Sequence, residues 1–539
     1  AILTAVSMVS VGMLANSHQA NLILANQNEP HSSYIVSARN VGAAMAAVEA
    51  VGGEVTHELG VINAVGARLS ESQITSLRAR EGLLKIFADH AVQAAALPDG
   101  GANVADTEGD GNGNSGRYSY YAGLVGADTL HDLDVTGTGV AIAVLDSGIW
   151  KHADLLDDPD GKERLVGAYD AINGKNVRIK NTQDQFGHGS HVASVAASSA
   201  VAPDGSFNGV APGADLVSVV AFGPDGTGTY ADVIRGIDWV VSKKNRYNIR
   251  VLNLSFSAEP RSHYWDDPLN QAVMAAWEAG IVVVASAGNS GPDPMTIGVP
   301  GNNPYIITVG AMTDSYTPAY GGDDVLASFS AAGPTYEGFV KPEVVAPGGH
   351  LIGFMDSEAS LASQHPEFHD EGNYFTMSGT SQSTAVVAGA AALLLEAKPW
   401  LTPDDVKCQL MSSARPALAD DGSLAYSIFQ QGAGMINVAD AVQSTELSCA
   451  NRGLDVRADL EGTAHFGGLA NQDASGDYYV MGVDGYLWAD GYLWADGYLW
   501  ADGYLWADGF LWADGYLWAD GYLWADGYLW ADGYLWADS

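Results

Sequence analysis

Between residues 126 and 445, short apolar runs alternate with helix-patterned segments. Val140 to Leu145, Val217 to Ala221, Val251 to Ser255, Ile281 to Ala285 and Ile306 to Val309 are largely apolar, without strict polar alternation. A strand wetted on one face alternates polar and apolar residues, whereas a strand covered on both faces does not. Helical segments such as Tyr230 to Ser242 and Ser383 to Ala397 fall between the runs and supply the covering layers. The pattern predicts an α/β domain over 126–445: a doubly wound, mostly parallel sheet with helices on both faces.

The chain has 539 residues, enough for more than this one domain. Residues 31–93 read as a separate small unit with the order β-α-β-β-α-β, a ferredoxin-like α+β arrangement. Ser70 is placed to cap its second helix (SESQITSLRAR). Residues 94–125 form a linker, Gly-, Asp- and Asn-rich over 98–116, with an acid spacing that matches no EF-hand loop. Residues 1–20 open with an uncharged apolar run too short to span a bilayer, followed by small and polar residues. They read as the remnant of a signal peptide. Residues 446–483 are expected to be a second linker.

The tail, 484–539, contains nine copies of Gly-[Tyr/Phe]-Leu-Trp-Ala-Asp. Six is even, so an extended chain keeps Tyr, Trp and Asp on one face in every copy. A helix would scatter them. A β-type repeat is expected, either a solenoid or a hairpin array.

Lys and Arg number 24 against 64 Asp and Glu, a formal charge of −40. Nucleic-acid binding needs a basic stripe, so that class is excluded. Two cysteines, Cys408 and Cys449, rule out a disulfide framework and any four-cysteine metal site. In an exported protein they either pair with each other or stay free.

Four segments set a polar residue at the end of an apolar element. Asp146 closes VLDSGI, His188 lies in GHGSHVASVAA, Asn289 follows a strand in VVVASAGNSG, and Ser381 begins the helix of SGTSQSTAVVAGAAALLLEA. Each has an ordinary explanation by itself: a turn Asp, a metal pair of His188 with His191, a turn Asn, an N-cap Ser. The pair His365 and His369 (HPEFH) reads as surface insertion more readily than as zinc ligands. Taken together, the order Asp146, His188, Asn289, Ser381 resembles the subtilisin-like serine peptidases, whose triad order and oxyanion Asn are standard illustrations of this chemistry. The likeness runs over about 130–443, through GVAPGADL, VLNLSFS, GVPGNNP, KPEVVAPG and GAGMINVADAV.

The resemblance implies a serine endopeptidase acting on extended polypeptides through an acyl-enzyme, with catalytic Asp146, His188 and Ser381 and oxyanion donor Asn289. It implies that Gly226, Thr227 and Gly228, with Phe256, Ser257 and Ala258, clasp substrate as an added strand. Ser286, Ala287, Gly288 and Gly298 would form the primary pocket, which carries no charge and should accept apolar side chains. The Val299–Pro300 bond is expected to be cis. Residues 31–93 resemble the family's inhibitory prodomain, which implies a precursor that cuts itself between about Asp89 and Gly116. No cofactor is implied for catalysis. Asp154 matches one calcium ligand of relatives, which leaves a structural calcium open.

Residues 382–386 (Gln-Ser-Thr-Ala-Val) and Ser190 depart from the family's usual pattern without touching the triad. The expected setting is secreted or extracellular, with the tail a candidate for binding a surface or glycan, or for packing on itself. The competing reading is an adhesion protein with a degenerate peptidase unit.

Overall fold

The computed structural model describes residues 29–80, 83–94, 119–313, 324–370, 372–419, 423–473 and 476–480, together with backbone strands between 486 and 537. The expected signal remnant at 1–20 and most of the first linker lie outside the described residues. The chain forms two compact units. One holds the chain to Ala332 together with Pro342–His465; the other holds Gly333–Lys341 and the residues from Phe466.

Within the first unit, the N-terminal segment has β1 (Ser32–Ala38), α1 (Val41–Glu49), β2 (Glu54–Leu59), β3 (Ala64–Leu69), α2 (Glu71–Arg78) and β4 (Leu83–Ala88). They build an antiparallel sheet of order β2-β3-β1-β4. Val36, Val48, Val65, Leu69, Ile74 and Leu77 fill its core. The Ser70 hydroxyl accepts from Gln73 N while the Gln73 carboxamide accepts from Ser70 N, the reciprocal cap that the sequence predicts. A further strand, β5 (Ala91–Ala94), leaves this sheet and pairs elsewhere.

The central sheet contains β6 (Ala141–Asp146), β7 (Leu165–Asp170), β8 (Asp215–Val220), β10 (Ile249–Leu254), β12 (Val282–Ser286), β13 (Ile307–Thr313) and β14 (Val344–Pro347). The short strands β9 (Thr227–Thr229) and β11 (Phe256–Ser257) lie outside it. Its order is β14-β13-β12-β10-β6-β8-β7, every neighbour parallel. Antiparallel pairs Val325–Leu326 and Lys175–Asn176 add to β13 and β7. Every residue of β6 is buried, as a strand covered on both faces requires.

The main helices are α3 (His188–Ala197), α4 (Tyr230–Tyr247), α5 (Pro268–Glu278), α6 (Thr380–Ala397) and α7 (Pro403–Ser412). Helix α6 is almost wholly buried, and its small residues permit close packing. A Cβ on Gly389 would lie 2.7 Å from the Ala196 carbonyl oxygen, so α6 approaches α3 as closely as it does only with glycine there. In open parallel sheets, reactive groups collect beyond the carboxyl ends of the strands. Asp146 stands at such an end.

Residues 446–483, expected as a linker, are folded where described. Cys449 is bonded to Cys408, with Cα atoms 5.2 Å apart. Helix α8 (Val456–Leu460) follows, then an antiparallel pair of Ala470–Gln472 with Tyr478–Val480. The Val299–Pro300 bond is cis.

In the second unit, the described repeat strands pair in parallel. Tyr486 faces Tyr504, Leu499 faces Leu517 and Phe510 faces Tyr528, an offset of three hexapeptide copies each time. Equivalent residues stack on one another. This is solenoid pairing; a hairpin array would be antiparallel.

Candidate active site

Asp146 is fully buried, and a buried carboxylate needs partners. Its Oδ1 accepts from Ser147 N at 2.7 Å and from the Ser147 hydroxyl at 3.2 Å. His188 Nδ1 lies 2.8 Å from Oδ1 and 2.9 Å from Oδ2. That contact fixes the ring so that Nε2 faces the other way. Nε2 is buried and has no hydrogen-bond partner among the described residues.

The sequence around His188 explains the placement. Gly187 takes φ 105° to turn into α3. Asp184 gathers the turn: its carboxylate accepts from Phe186 N, Gly187 N, Ser190 N and the Ser190 hydroxyl, the last at 2.7 Å. Ser190 also accepts from Trp150 N at 2.8 Å, so the shorter hydroxyl residue serves where the family usually has Thr. His191 donates through Nε2 to the carbonyls of Leu351 and Phe375. Burial pushes its pKa down to about 3, so it is a neutral core residue.

Ser381 sits in the first turn of α6. Its hydroxyl donates to the Ser255 carbonyl at 3.0 Å, and the Ser255 hydroxyl donates back to the Ser381 carbonyl at 2.9 Å. Asn253 Nδ2 in turn donates to the Ser255 hydroxyl. Asn289 Oδ1 accepts from Thr380 N at 3.0 Å and the Thr380 hydroxyl at 2.9 Å. This fixes the carboxamide beside the start of α6. Gln382, next to Ser381, is fully buried, and neither end of its carboxamide has a hydrogen-bond partner among the described residues.

The ten residues expected to bind substrate come together around two short strands. β5 lies between β9 and β11 and is antiparallel to both. Thr227 faces Gln93, Gly228 faces Val92, Phe256 faces Ala94 and Ser257 faces Gln93. Ala94 N donates to the Gly226 carbonyl at 3.0 Å. Behind β11, Ala258 and Val299 exchange backbone hydrogen bonds, and Gly298 N donates to the Ala287 carbonyl. The Ser286 hydroxyl donates to the Phe256 carbonyl. A Cβ on Gly298 would fall 1.8 Å from the Ser257 hydroxyl oxygen, and one on Gly288 would fall 2.9 Å from it. Both positions must be glycine for Ser257 to approach this closely.

Residues 137–434 match the Subtilase family. The chain is a subtilase.

This subtilase is 39% identical to serine protease AprX of Bacillus subtilis (strain 168) over 57% of its length and 67% of that protein's. It is 30% identical to subtilisin E of the same organism over 78% of its length and 92% of that protein's. Among solved structures it is similar to fervidolysin from Fervidobacterium pennivorans, a keratinolytic enzyme related to subtilisin. The TM-score is 0.58 at 21% identity, over 78% of this chain and 62% of that one. The fold is therefore subtilisin-like, and the family is one of serine peptidases that need no catalytic cofactor.

Calcium does not fit at Asp154. The Asp154 side chain is half exposed, with His152 Nδ1 3.7 Å from its carboxylate. The guanidinium of buried Arg164 already occupies the carbonyls of Asp154, Leu155 and Pro212. Burial pushes its pKa down to about 10, which leaves it cationic at neutral pH. Among the described residues no three His, Cys, Asp or Glu converge on a metal position. At the HPEFH stretch, His369 is committed to the carbonyls of Asp370 and Met355.

Sequence reasoning missed Ser147, Asp184, Ser255 and Thr380. Ser255 and Thr380 stood inside recognised motifs, but their partners are 126 and 91 residues away in the chain.

Proposed function

We propose that this subtilase is a secreted serine endopeptidase, made as a precursor that cuts itself, with Asp146, His188 and Ser381 as its triad. The buried contact of His188 Nδ1 with Asp146 carries the reading, because it leaves Nε2 as the one imidazole atom able to accept a proton.

A serine hydroxyl is a weak nucleophile until a base takes its proton. His188 Nε2 is that base, and it later returns the proton to the leaving amine. Asp146 holds the tautomer and stabilises the imidazolium. Rotation of the Ser381 hydroxyl away from the Ser255 carbonyl releases it for transfer. Asn289 Nδ2 and Ser381 N donate to the oxyanion; one such donor is worth about 3–4 kcal/mol in the transition state.

Gly226 to Gly228 and Phe256 to Ala258 bind the substrate backbone as a strand, and Ser286, Ala287, Gly288 and Gly298 line an uncharged primary pocket. β5 occupies the groove as a substrate would, which supports residues 31–93 as an inhibitory prodomain. Ala94 faces Phe256, and Ser255 is the neighbour whose carbonyl holds the Ser381 hydroxyl. Self-cleavage therefore falls within about two residues after Ala94, given the residue-for-residue register of paired strands. Secretion is supported by the Cys408–Cys449 disulfide. The repeat is the candidate for a surface or glycan contact, since Tyr and Trp recur in every copy but one, where Phe replaces Tyr, and such side chains combine an apolar body with a polar tip.

The test is N-terminal sequencing of the wild-type product beside a Ser381→Ala precursor. A mature chain beginning at about residue 96, with an uncut variant, supports the reading. A wild-type product that still begins before Asp89 overturns it.

A further inference from the structure

One carboxylate beyond the family-matched region ties together the two loops that form opposite sides of the primary pocket. Asp459, on α8, is 2% exposed. Its Oδ2 accepts from the Tyr264 hydroxyl at 2.5 Å and from the Tyr305 hydroxyl at 2.8 Å. Its Oδ1 accepts from His465 Nδ1 at 2.7 Å. Both tyrosines are buried, and a buried carboxylate held by three donors is costly to disturb.

Tyr264 lies on the loop that continues β11 through Ala258 to α5. Tyr305 lies on the loop that begins at Gly298, and that loop is built as one piece. Asn302 N donates to the Gly298 carbonyl, Asn303 N to the Pro300 carbonyl, and Tyr305 N to the Asn303 side chain. The same C-terminal segment also grips its backbone: Asn451 Nδ2 donates to the Tyr305 carbonyl at 3.0 Å. Lys407 Nζ, paired with Glu343 and touching Asn451, caps the carbonyls of Pro304, Tyr305 and Ile306. Trp265, beside Tyr264, stacks on His465 at 4.8 Å and on His263 at 4.3 Å. The pocket walls meet where Ala258 and Val299 exchange hydrogen bonds. A shift of either loop changes the gap between them.

We propose that Asp459 is a positioning residue for specificity, setting the spacing of the Ala258 and Gly298 sides of the primary pocket through Tyr264 and Tyr305. The inference rests on the peptidase reading above. It assigns the segment after the last family-matched residue a part in choosing the side chain to be cut.

The experiment uses matured full-length enzyme, with peptide substrates that differ only in the residue before the cut bond, from Ala through Leu to Phe. Asp459→Asn and Tyr305→Phe each remove one element of the tie, and Arg457→Ala, an exposed partner of Glu278 on the same helix, is the control. The ratio of kcat/KM for Phe over Ala substrates should change by about fivefold or more in both tie variants, mainly through KM, a span typical of pocket-fit effects. It should stay at the wild-type value in the control. If Asp459→Asn does not mature, Tyr305→Phe decides alone. A ratio unchanged in Tyr305→Phe, with the wild type active, overturns the proposal. An inactive wild type overturns the peptidase reading instead.

Discussion

The Thr380 hydroxyl donates to Asn289 Oδ1 at 2.9 Å, across 91 residues of chain. Thr380 N donates to the same oxygen at 3.0 Å, so two bonds fix which end of the carboxamide faces Thr380. Thr380→Val keeps shape and loses the hydroxyl, which donates to Asn289 Oδ1 and accepts from Gly288 N at 3.3 Å. Its kcat on a peptide substrate should fall by about tenfold with KM nearly unchanged, as expected for an interaction worth about 1–1.5 kcal/mol in the transition state. Asn289→Ala, which removes the donor itself, should cost about 10²–10³ in kcat. Steady-state kinetics on both variants checks the order; equal losses would mean the tether does more than orient.

Asp89 links the N-terminal segment to α4, where its Oδ1 accepts from Ala231 N at 2.9 Å. Burial raises its pKa, while the Ala231 bond and nearby His57 oppose the shift and Asp232 adds to it. His57 and Arg235 both contact Asp232 there. Release of the segment returns Asp89 to its ordinary value, so the bound state holds more proton. Its contribution to binding is fully present below the ordinary Asp range and is lost as pH rises through the raised value. After self-cleavage, inhibition by the segment should weaken as pH rises from the acid range through the raised Asp89 value. Asp89→Asn should flatten part of that dependence, read as the inhibition constant of the separated segment for matured enzyme at each pH, which divides out the pH dependence of turnover itself.

The Cys408–Cys449 bond closes a 41-residue separation and holds the segment that carries Asn451 and Asp459. In the chain-entropy account, such a loop contributes about 4 kcal/mol. Replacing both cysteines with Ser should lower Tm by several degrees and reproduce, in weaker form, the change in primary-pocket preference expected of Asp459→Asn. Calorimetry and the substrate series measure the two effects separately.

The parallel sheet was legible because it depends on local pattern, an unbroken apolar run, and the four candidate positions stand out as the polar residues at the ends of such elements. The α2 cap was legible for the same reason, with Ser70 and Gln73 three residues apart. The supports of the site were not. Asp184 is an unremarkable acid until its carboxylate collects four donors at the His188 turn. Asp459 lies in a stretch whose polar composition reads as linker, and only the fold brings two distant tyrosines to it. In the tail, the even period predicted strands, but pairing is set by a register of three copies, which one copy does not encode.

Fluorophosphonate labelling of the matured enzyme, followed by mapping of the modified peptide, tests the central claim most directly. The account predicts a single label on Ser381, absent in Ser381→Ala and slowed by orders of magnitude in His188→Ala. A folded, matured wild-type sample that takes no label, or takes it on another residue, would contradict the account.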